Sequence, residues 1–192
     1  MIIPHSQAIE HIAKNNFPFI RDMSVLELGP QVGWFTNSLL NYTDKITSIE
    51  FDTNSAATFK NNFKDKVDLV VDNFDDVVKT IGQFDAVVLY GVLYHHCAPI
   101  KLIEDIVNYV KPKKILLETQ LIDPSIIWAE EKTNIIGNRF SNVKTGGLVL
   151  IVGLELYIKV LNNMGYVETN RHQMPIDATF KEGCIYSIFE LA

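Results

Sequence analysis

Three carboxylates and two histidines are spaced along the first half of the chain in a way that invites chemistry. Glu27 stands inside an apolar run, Ser24-Val25-Leu26-Glu27-Leu28-Gly29, where an unpaired carboxylate would be costly to bury. A second apolar run ends in Ile49-Glu50-Phe51-Asp52, with Glu50 seventeen residues past Gly33. A third closes on Asp72-Asn73-Phe74. Between the first two acids lies Gly29-Pro30-Gln31-Val32-Gly33-Trp34-Phe35-Thr36. A strand, a glycine turn, a helix and a second strand ending in an acid suit a nucleoside. The glycines let a ligand approach the backbone, the helix N-terminus offers N–H groups, and the second acid takes the ribose hydroxyls. Asp72 can accept a hydrogen bond from an adenine amino group. Strand ends are commonly exposed, so Glu50 is expected to be replaceable without harm to the fold.

The histidines lie in Tyr90-Gly91-Val92-Leu93-Tyr94-His95-His96-Cys97-Ala98-Pro99, after a fourth apolar run. Imidazole titrates near neutral pH, so His95 or His96 can take a proton from a hydroxyl or amine. Each can equally cap the next helix or pack within its loop, and Tyr90 and Tyr94 can be core aromatics.

These residues need a scaffold, and the hydrophobic pattern supplies one. Apolar spacing predicts helices over 6–15, 34–42, 55–63, 100–110 and 154–164. Strands are predicted over 24–28, 46–51, 67–71, 84–90 and 114–118, then as a pair over 166–170 and 185–190. Near-continuous apolar strands alternating with helices mean right-handed crossovers and a parallel sheet buried on both faces. In such a sheet the ligand crevice lies at the C-terminal strand ends, where Glu50, Asp72 and the histidines are expected. Residues 120–153 interrupt the rhythm and are longer than most connections in a compact domain.

With 192 residues, one domain with a single sizeable core is expected. A formal charge of −6 argues against a broad phosphate-binding face and favours a small molecule or compact acceptor over long nucleic acid. Cys97 and Cys184 have no metal-ligand spacing, and nothing in the sequence calls for a metal. There is no signal-peptide pattern and no apolar run near membrane-spanning length, so a cytoplasmic protein without membrane association is expected. Oligomeric state is not legible.

The series Glu27-x-Gly29-x-x-x-Gly33, Glu50, Asp72-Asn73-Phe74 and Phe84-Asp85-Ala86-Val87-Val88-Leu89 resembles the class I S-adenosylmethionine-dependent methyltransferases. The resemblance runs from about residue 24 to the C-terminus. It implies a Rossmann-like, doubly wound, mostly parallel seven-stranded sheet with an antiparallel C-terminal strand. It also implies S-adenosylmethionine as cofactor, with Glu27, Gly29, Gln31, Gly33 and Tyr90 on the methionine side. Glu50 would take the ribose diol and Asp72, Asn73 and Phe74 the adenine. The family's usual middle glycine is Gln31 here. On this reading residues 1–192 are one domain, with 1–22 a helical extension and 120–153 an acceptor-side insertion.

Residues 90–99, with Leu117-Glu118-Thr119 and Asn138-Arg139-Phe140, locally resemble the enzymes of this fold that modify wobble uridine in transfer RNA, which use a carboxylated form of the cofactor. A dinucleotide dehydrogenase is the rival for the glycine unit. It expects G-x-G-x-x-G, whereas this turn has only Gly29 and Gly33, and Glu27 suits a cationic sulfonium amino acid better than a diphosphate. No Asn/Asp-Pro-Pro-aromatic signature of amino-methyltransferases follows the fourth strand, which counts against an exocyclic adenine or glutamine nitrogen as the target. Cys97 precedes Ala98-Pro99, the reverse of the Pro-Cys order of cytosine-C5 enzymes. Trp128, Glu130, Glu131, Arg139 and Asn142 in the insertion can clamp an anionic or planar acceptor, or anchor the loop. The expected activity is methylation of a small nucleophile. A tRNA- or protein-modifying enzyme of the same fold, and a non-catalytic module that binds the cofactor, remain as alternatives.

Overall fold

Leu26 and Leu28 pack into one apolar cluster while Val25 packs into another, and the neighbouring strands repeat the pattern. Val87 and Leu89 oppose Ala86 and Val88; Ile115 and Leu117 oppose Leu116. Two-residue alternation between two buried faces is what a central parallel strand requires, and it explains why these runs are mostly apolar. The computed structural model describes residues 5–120, 127–131, 148–173 and 184–192.

The strands are β1 (Val25–Leu28), β2 (Ile46–Ile49), β3 (Asp68–Val70), β4 (Ala86–Leu89), β5 (Lys114–Gln120), β6 (Ile127–Glu131), β7 (Leu148–Val152), β8 (Tyr166–Gln173) and β9 (Cys184–Leu191). Seven form one sheet in the order β3-β2-β1-β4-β5-β9-β8, and β6 pairs with β7 separately. The first five are parallel, and β9 runs antiparallel to both β5 and β8. This is the Rossmann-like, doubly wound sheet expected, with its antiparallel C-terminal strand.

The helices are α1 (His5–Asn16), α2 (Thr36–Leu39), α3 (Thr53–Phe63), α4 (Phe74–Val77), α5 (Pro99–Asp105) and α6 (Leu154–Asn163). Residues of α1, α2 and α3, among them Ile12, Leu39, Phe59 and Phe63, cover one face of the sheet. Leu102, Ile103, Tyr157 and Leu161 of α5 and α6 cover the other. Strand order reverses between β1 and β4, so the crevice opens above that pair.

Two expectations are corrected. The helix predicted over 34–42 shrinks to the four residues of α2, and α5 ends in a π turn over Ile106–Val110 rather than continuing as α-helix. A single turn has no useful dipole, so the N–H groups sought at a helix N-terminus are not what the glycine turn offers.

The turn is built on positive φ at Gly29 (+64°), Gln31 (+53°) and Gly33 (+94°). Gln31 occupies the left-handed region that its own side chain disfavours. At Gly33 a Cβ would fall 2.0 Å from Phe63 Cε2, and the Phe63 ring is itself held by Phe59, with centroids 4.6 Å apart. Gly33 is therefore required by packing against α3. Gly82 shares the backbone conformation (φ +99°), but its Cβ would meet nothing within 4 Å. Gly82→Ala is accordingly expected to show only backbone strain, on the order of 1–2 kcal/mol. Gly33→Ala should add steric overlap and cost about 3 kcal/mol or more in urea unfolding. Equal losses in the two variants would remove the Phe63 contact as the reason for Gly33.

Candidate active site

By alternation, Glu27 of β1 points to the face covered by α1–α3, as do Val88 and Tyr90 on the β4 side and Leu116 and Glu118 of β5. Here the C-terminal edge of the sheet forms a cleft of about 350 Å³. Its lining includes Glu27, Gln31, Trp34, Tyr90, Tyr94 and Glu118. Gly29, Pro30, Phe35, Gly91 and His95 are the other described residues that line it.

Glu27 is 3% exposed. Its Oε2 accepts from Thr36 Oγ1 at 2.7 Å and Ser48 Oγ at 2.9 Å. Burial outweighs these bonds and raises the carboxyl to about 7. An acid with this pKa beside a cleft favours a cationic ligand, which restores the charged form.

Glu50 is 2% exposed, not the open strand end expected. Its Oε2 accepts from the Gln31 N–H and Oε1 from the Asp52 N–H, each at 2.9 Å. Burial again pushes the carboxyl above the usual range, against these bonds. The Phe51 N–H is a further donor, which leaves about one of the carboxylate's roughly four acceptor positions for a hydroxyl. Glu50 also fixes the glycine turn, which is how Gln31 is held at positive φ.

Glu50, Gly33, Asp72, Asn73, Phe74 and His96 do not line this cleft. Asp72 accepts from the Asn73 N–H at 2.7 Å, and Asn73 Oδ1 caps α4 through the Asp75 N–H at 3.0 Å. Phe74 meets Phe51 edge-on with centroids 6.4 Å apart, so the ends of β2 and β3 present a pair of rings beside two acids.

The two histidines have separate settings. His96 Nδ1 accepts from the Ala98 N–H at 3.0 Å, so the ring proton sits on Nε2 and points to Asp75 Oδ2, also 3.0 Å away. His96 is thereby a clamp between α4 and the start of α5. Its partnership is the first cause of the lowered Asp75 carboxyl. His95 lines the cleft, its ring tilted against Tyr94 at 4.5 Å. Cys97 is pushed up first by burial and then by the Asp75 carboxylate, which suppresses the thiolate.

Tyr90 stacks on Phe17 and receives a hydrogen bond from Asn16 Nδ2 at 2.9 Å, so α1 supports the cleft floor. Glu118, 1% exposed, accepts from the Gly91 N–H at 2.7 Å and from Tyr94 Oη at 3.4 Å. Its carboxyl is raised by burial against further hydrogen bonds from Cys184 and Tyr186. Trp34 and Phe35 are cleft residues that sequence reasoning gave no site role, while Tyr94 and Glu118 entered it only through the local resemblance to wobble-uridine enzymes. For Glu118 the signal was present: an acid interrupts the apolar run Ile115-Leu116-Leu117, as Glu27 does in its own strand.

A family model for the methyltransferase domain matches residues 5–179. The chain belongs to this methyltransferase family. The methyltransferase fold recurs in solved structures. The N-terminal domain of EvdMO1, studied with S-adenosylhomocysteine and D-fucose, aligns at TM-score 0.71 and 18% identity over 99% of this chain and 84% of its own. The Burkholderia thailandensis 1,6-didemethyltoxoflavin-N1-methyltransferase aligns at TM-score 0.71 and 13% identity, covering 98% and 80%. The Bradyrhizobium japonicum N-methyltransferase NodS aligns at TM-score 0.65 and 18% identity, covering 97% and 85%. No curated protein matches the methyltransferase chain by sequence. Among the described residues, no helix is long and apolar enough to cross a membrane.

In the insertion of this methyltransferase, β6 and β7 pair antiparallel, and the Leu150 N–H donates to the His96 carbonyl at 3.0 Å. Trp128, Glu130 and Glu131 lie on β6. The clamp expected of their side chains, and Asn138, Arg139, Phe140 and Asn142, fall outside the described residues.

Two outcomes follow from these settings. Glu27 has a raised folded pKa, so the folded state holds the extra proton and stability falls as pH rises from 4.5 to about 7, then levels. The drop from this one group is about 3 kcal/mol, and Glu27→Gln should flatten that segment of a urea-derived stability–pH curve. An unchanged slope would mean that Glu27 is not the buried acid responsible. His96→Ala strands the Ala98 N–H and the Asp75 carboxylate, with an expected loss of about 1–3 kcal/mol. His95→Ala, which removes the ring contact with Tyr94, should cost less than His96→Ala, and reversed results would exchange the two assignments.

Proposed function

We propose that this chain transfers a methyl group from S-adenosylmethionine to a small-molecule nucleophile held above the ends of β4 and β5. When bound, the cofactor supplies an electrophilic methyl group on a sulfonium centre. One observation carries the choice of cofactor: the described residues that line the cleft include two buried carboxylates and four aromatic rings, with no lysine or arginine. A dinucleotide's diphosphate needs the opposite charge. A ligand bearing an ammonium and a sulfonium suits the acids and rings that are present.

The residues then divide the work. Glu27, Gly29 and Gln31 would hold the amino-acid end, with Gly33 setting the shape of the turn through Phe63. Glu50 would accept from the ribose diol at its remaining acceptor position, and Asp72, Asn73 and Phe74 would flank the base. Tyr90 and Phe35 pack with centroids 5.0 Å apart and shape the floor near the transfer point. The protein's contribution to rate is alignment and exclusion of water. His95, as the histidine in the cleft, is the proton acceptor where the nucleophile must lose a proton. His96 is not assigned that part, because both ring nitrogens already have partners.

A small acceptor is preferred to transfer RNA on the modest cleft volume and the formal charge of −6. None of the three structures named above is described as a transfer-RNA enzyme. Those that modify toxoflavin precursors or carry an N-methyltransferase name fit the small-acceptor reading.

Calorimetric titration should show binding of S-adenosylmethionine and S-adenosylhomocysteine, and none of NAD. Binding of NAD alone would overturn the reading. Glu50→Ala should weaken cofactor binding by about 1.5–3 kcal/mol. The same variant should lower thermal stability, because the Gln31 and Asp52 N–H groups lose their acceptor. A variant that binds as tightly as wild type would place the sugar elsewhere.

A further inference from the structure

Glu118 and Glu27 stand on strands that β4 separates. Glu27 pairs with Val88 across β1–β4, and Val88 pairs with Leu116 across β4–β5. Two inter-strand spacings, roughly 10 Å, therefore separate the strands that carry the two carboxylates, and Glu118 lies two positions further along β5. Around Glu118 the Gly91 N–H, Tyr94 and the β9 residues Cys184 and Tyr186 all donate to the carboxyl. Tyr186 is its direct cross-strand partner. Tyr94 makes a long bond, 3.4 Å, and both it and Glu118 line the cleft. An incoming N–H group can replace Tyr94 on Oε1 without disturbing the others. The rings of Trp34, Tyr90 and Tyr94 line the same cleft, and aromatic faces with a carboxylate are the surroundings an ammonium ion prefers.

We propose that Glu118 receives the methyl acceptor as an ammonium ion, and that the acceptor atom is an amine nitrogen. This rests on the methyl-transfer reading of the cleft. Glu118 takes one proton from the ammonium. The electron pair of that N–H bond stays on nitrogen as the nucleophilic lone pair, and the carboxylate becomes a carboxylic acid. Glu118 thus removes the proton that must leave before attack, and His95, also in the cleft, takes the one that the methylated nitrogen sheds afterwards.

The test compares benzylammonium with benzyl alcohol, probes of nearly equal shape and different charge, by calorimetry with and without saturating S-adenosylhomocysteine. Wild type should prefer benzylammonium at least tenfold. Glu118→Gln should lose that preference while binding S-adenosylhomocysteine as tightly as wild type. Tyr94→Phe, which removes the competing donor and keeps the carboxylate, should bind benzylammonium at least as well. It keeps the question decidable if Glu118→Gln does not fold. The inference is overturned if wild type shows no preference or binds neither probe. It is also overturned if the preference survives Glu118→Gln, if Tyr94→Phe loses it, or if Glu118→Gln weakens S-adenosylhomocysteine instead, which would give the carboxylate to the donor. Failure of wild type to bind S-adenosylhomocysteine would count against the methyl-transfer reading alone, because the probe comparison is also read without it.

Discussion

A carboxyl group enclosed at the centre of a parallel sheet has to be satisfied locally, and Glu27 organises its neighbourhood for that reason. Ser48, its direct partner across β1–β2, donates one hydrogen bond, and Thr36 at the start of α2 donates the other. Strand register and the position of the segment after the glycine turn are tied to one side chain. The arrangement still leaves the carboxyl near 7, so the fold carries an electrostatic cost that a cation at this edge would relieve. Placing an unfavourable charge where a ligand will compensate it is a common trade between stability and function.

The opposite wall of the cleft is held by a second set of polar bonds. Residues 90–99 leave β4 with the Gly91 N–H on Glu118, then reach His96, which joins Asp75 to the Ala98 N–H. The His96 carbonyl accepts from Leu150, and Thr119 Oγ1 donates to the Val152 carbonyl. β7 is therefore moored to the end of β5 and to the same loop that carries His95 and Tyr94. Both ends of that mooring are polar contacts at the end of an apolar sheet, where the alternation of buried faces stops.

What was legible in the sequence follows from which interactions are local. Central strands β1, β4 and β5 are apolar on both faces, and their positions emerged to within a residue or two. The order of acids along the chain also pointed to the edge of the sheet where the cleft opens. Interactions between distant residues were not legible. Nothing near Gly33 announces Phe63, thirty residues on, so a glycine required by packing read as one required by a ligand. His95 and His96 are adjacent and alike until Asp75 selects one of them. Glu50 was expected to be open because strand ends often are, but its burial depends on the turn folding over it. The helix over 34–42 had the right apolar spacing, yet the positive φ at Gly33 delays its start and leaves a single turn. Glu118 interrupts an apolar strand just as Glu27 does, and its meaning needed the neighbouring strand β9, close to the end of the chain.

Gln31 held by Glu50 and Gly33 wedged against Phe63 have one more consequence. The turn that would receive the cofactor is braced from below by a buried ring and from the side by a buried carboxylate. Its backbone has little freedom left to lose on association. Affinity on that half of the cleft then comes without a large ordering penalty, and encounter should not wait on a slow rearrangement of the turn. The energy of contact is retained as grip, which leaves selectivity between ligands to the shape and charge of a wall that is already in place.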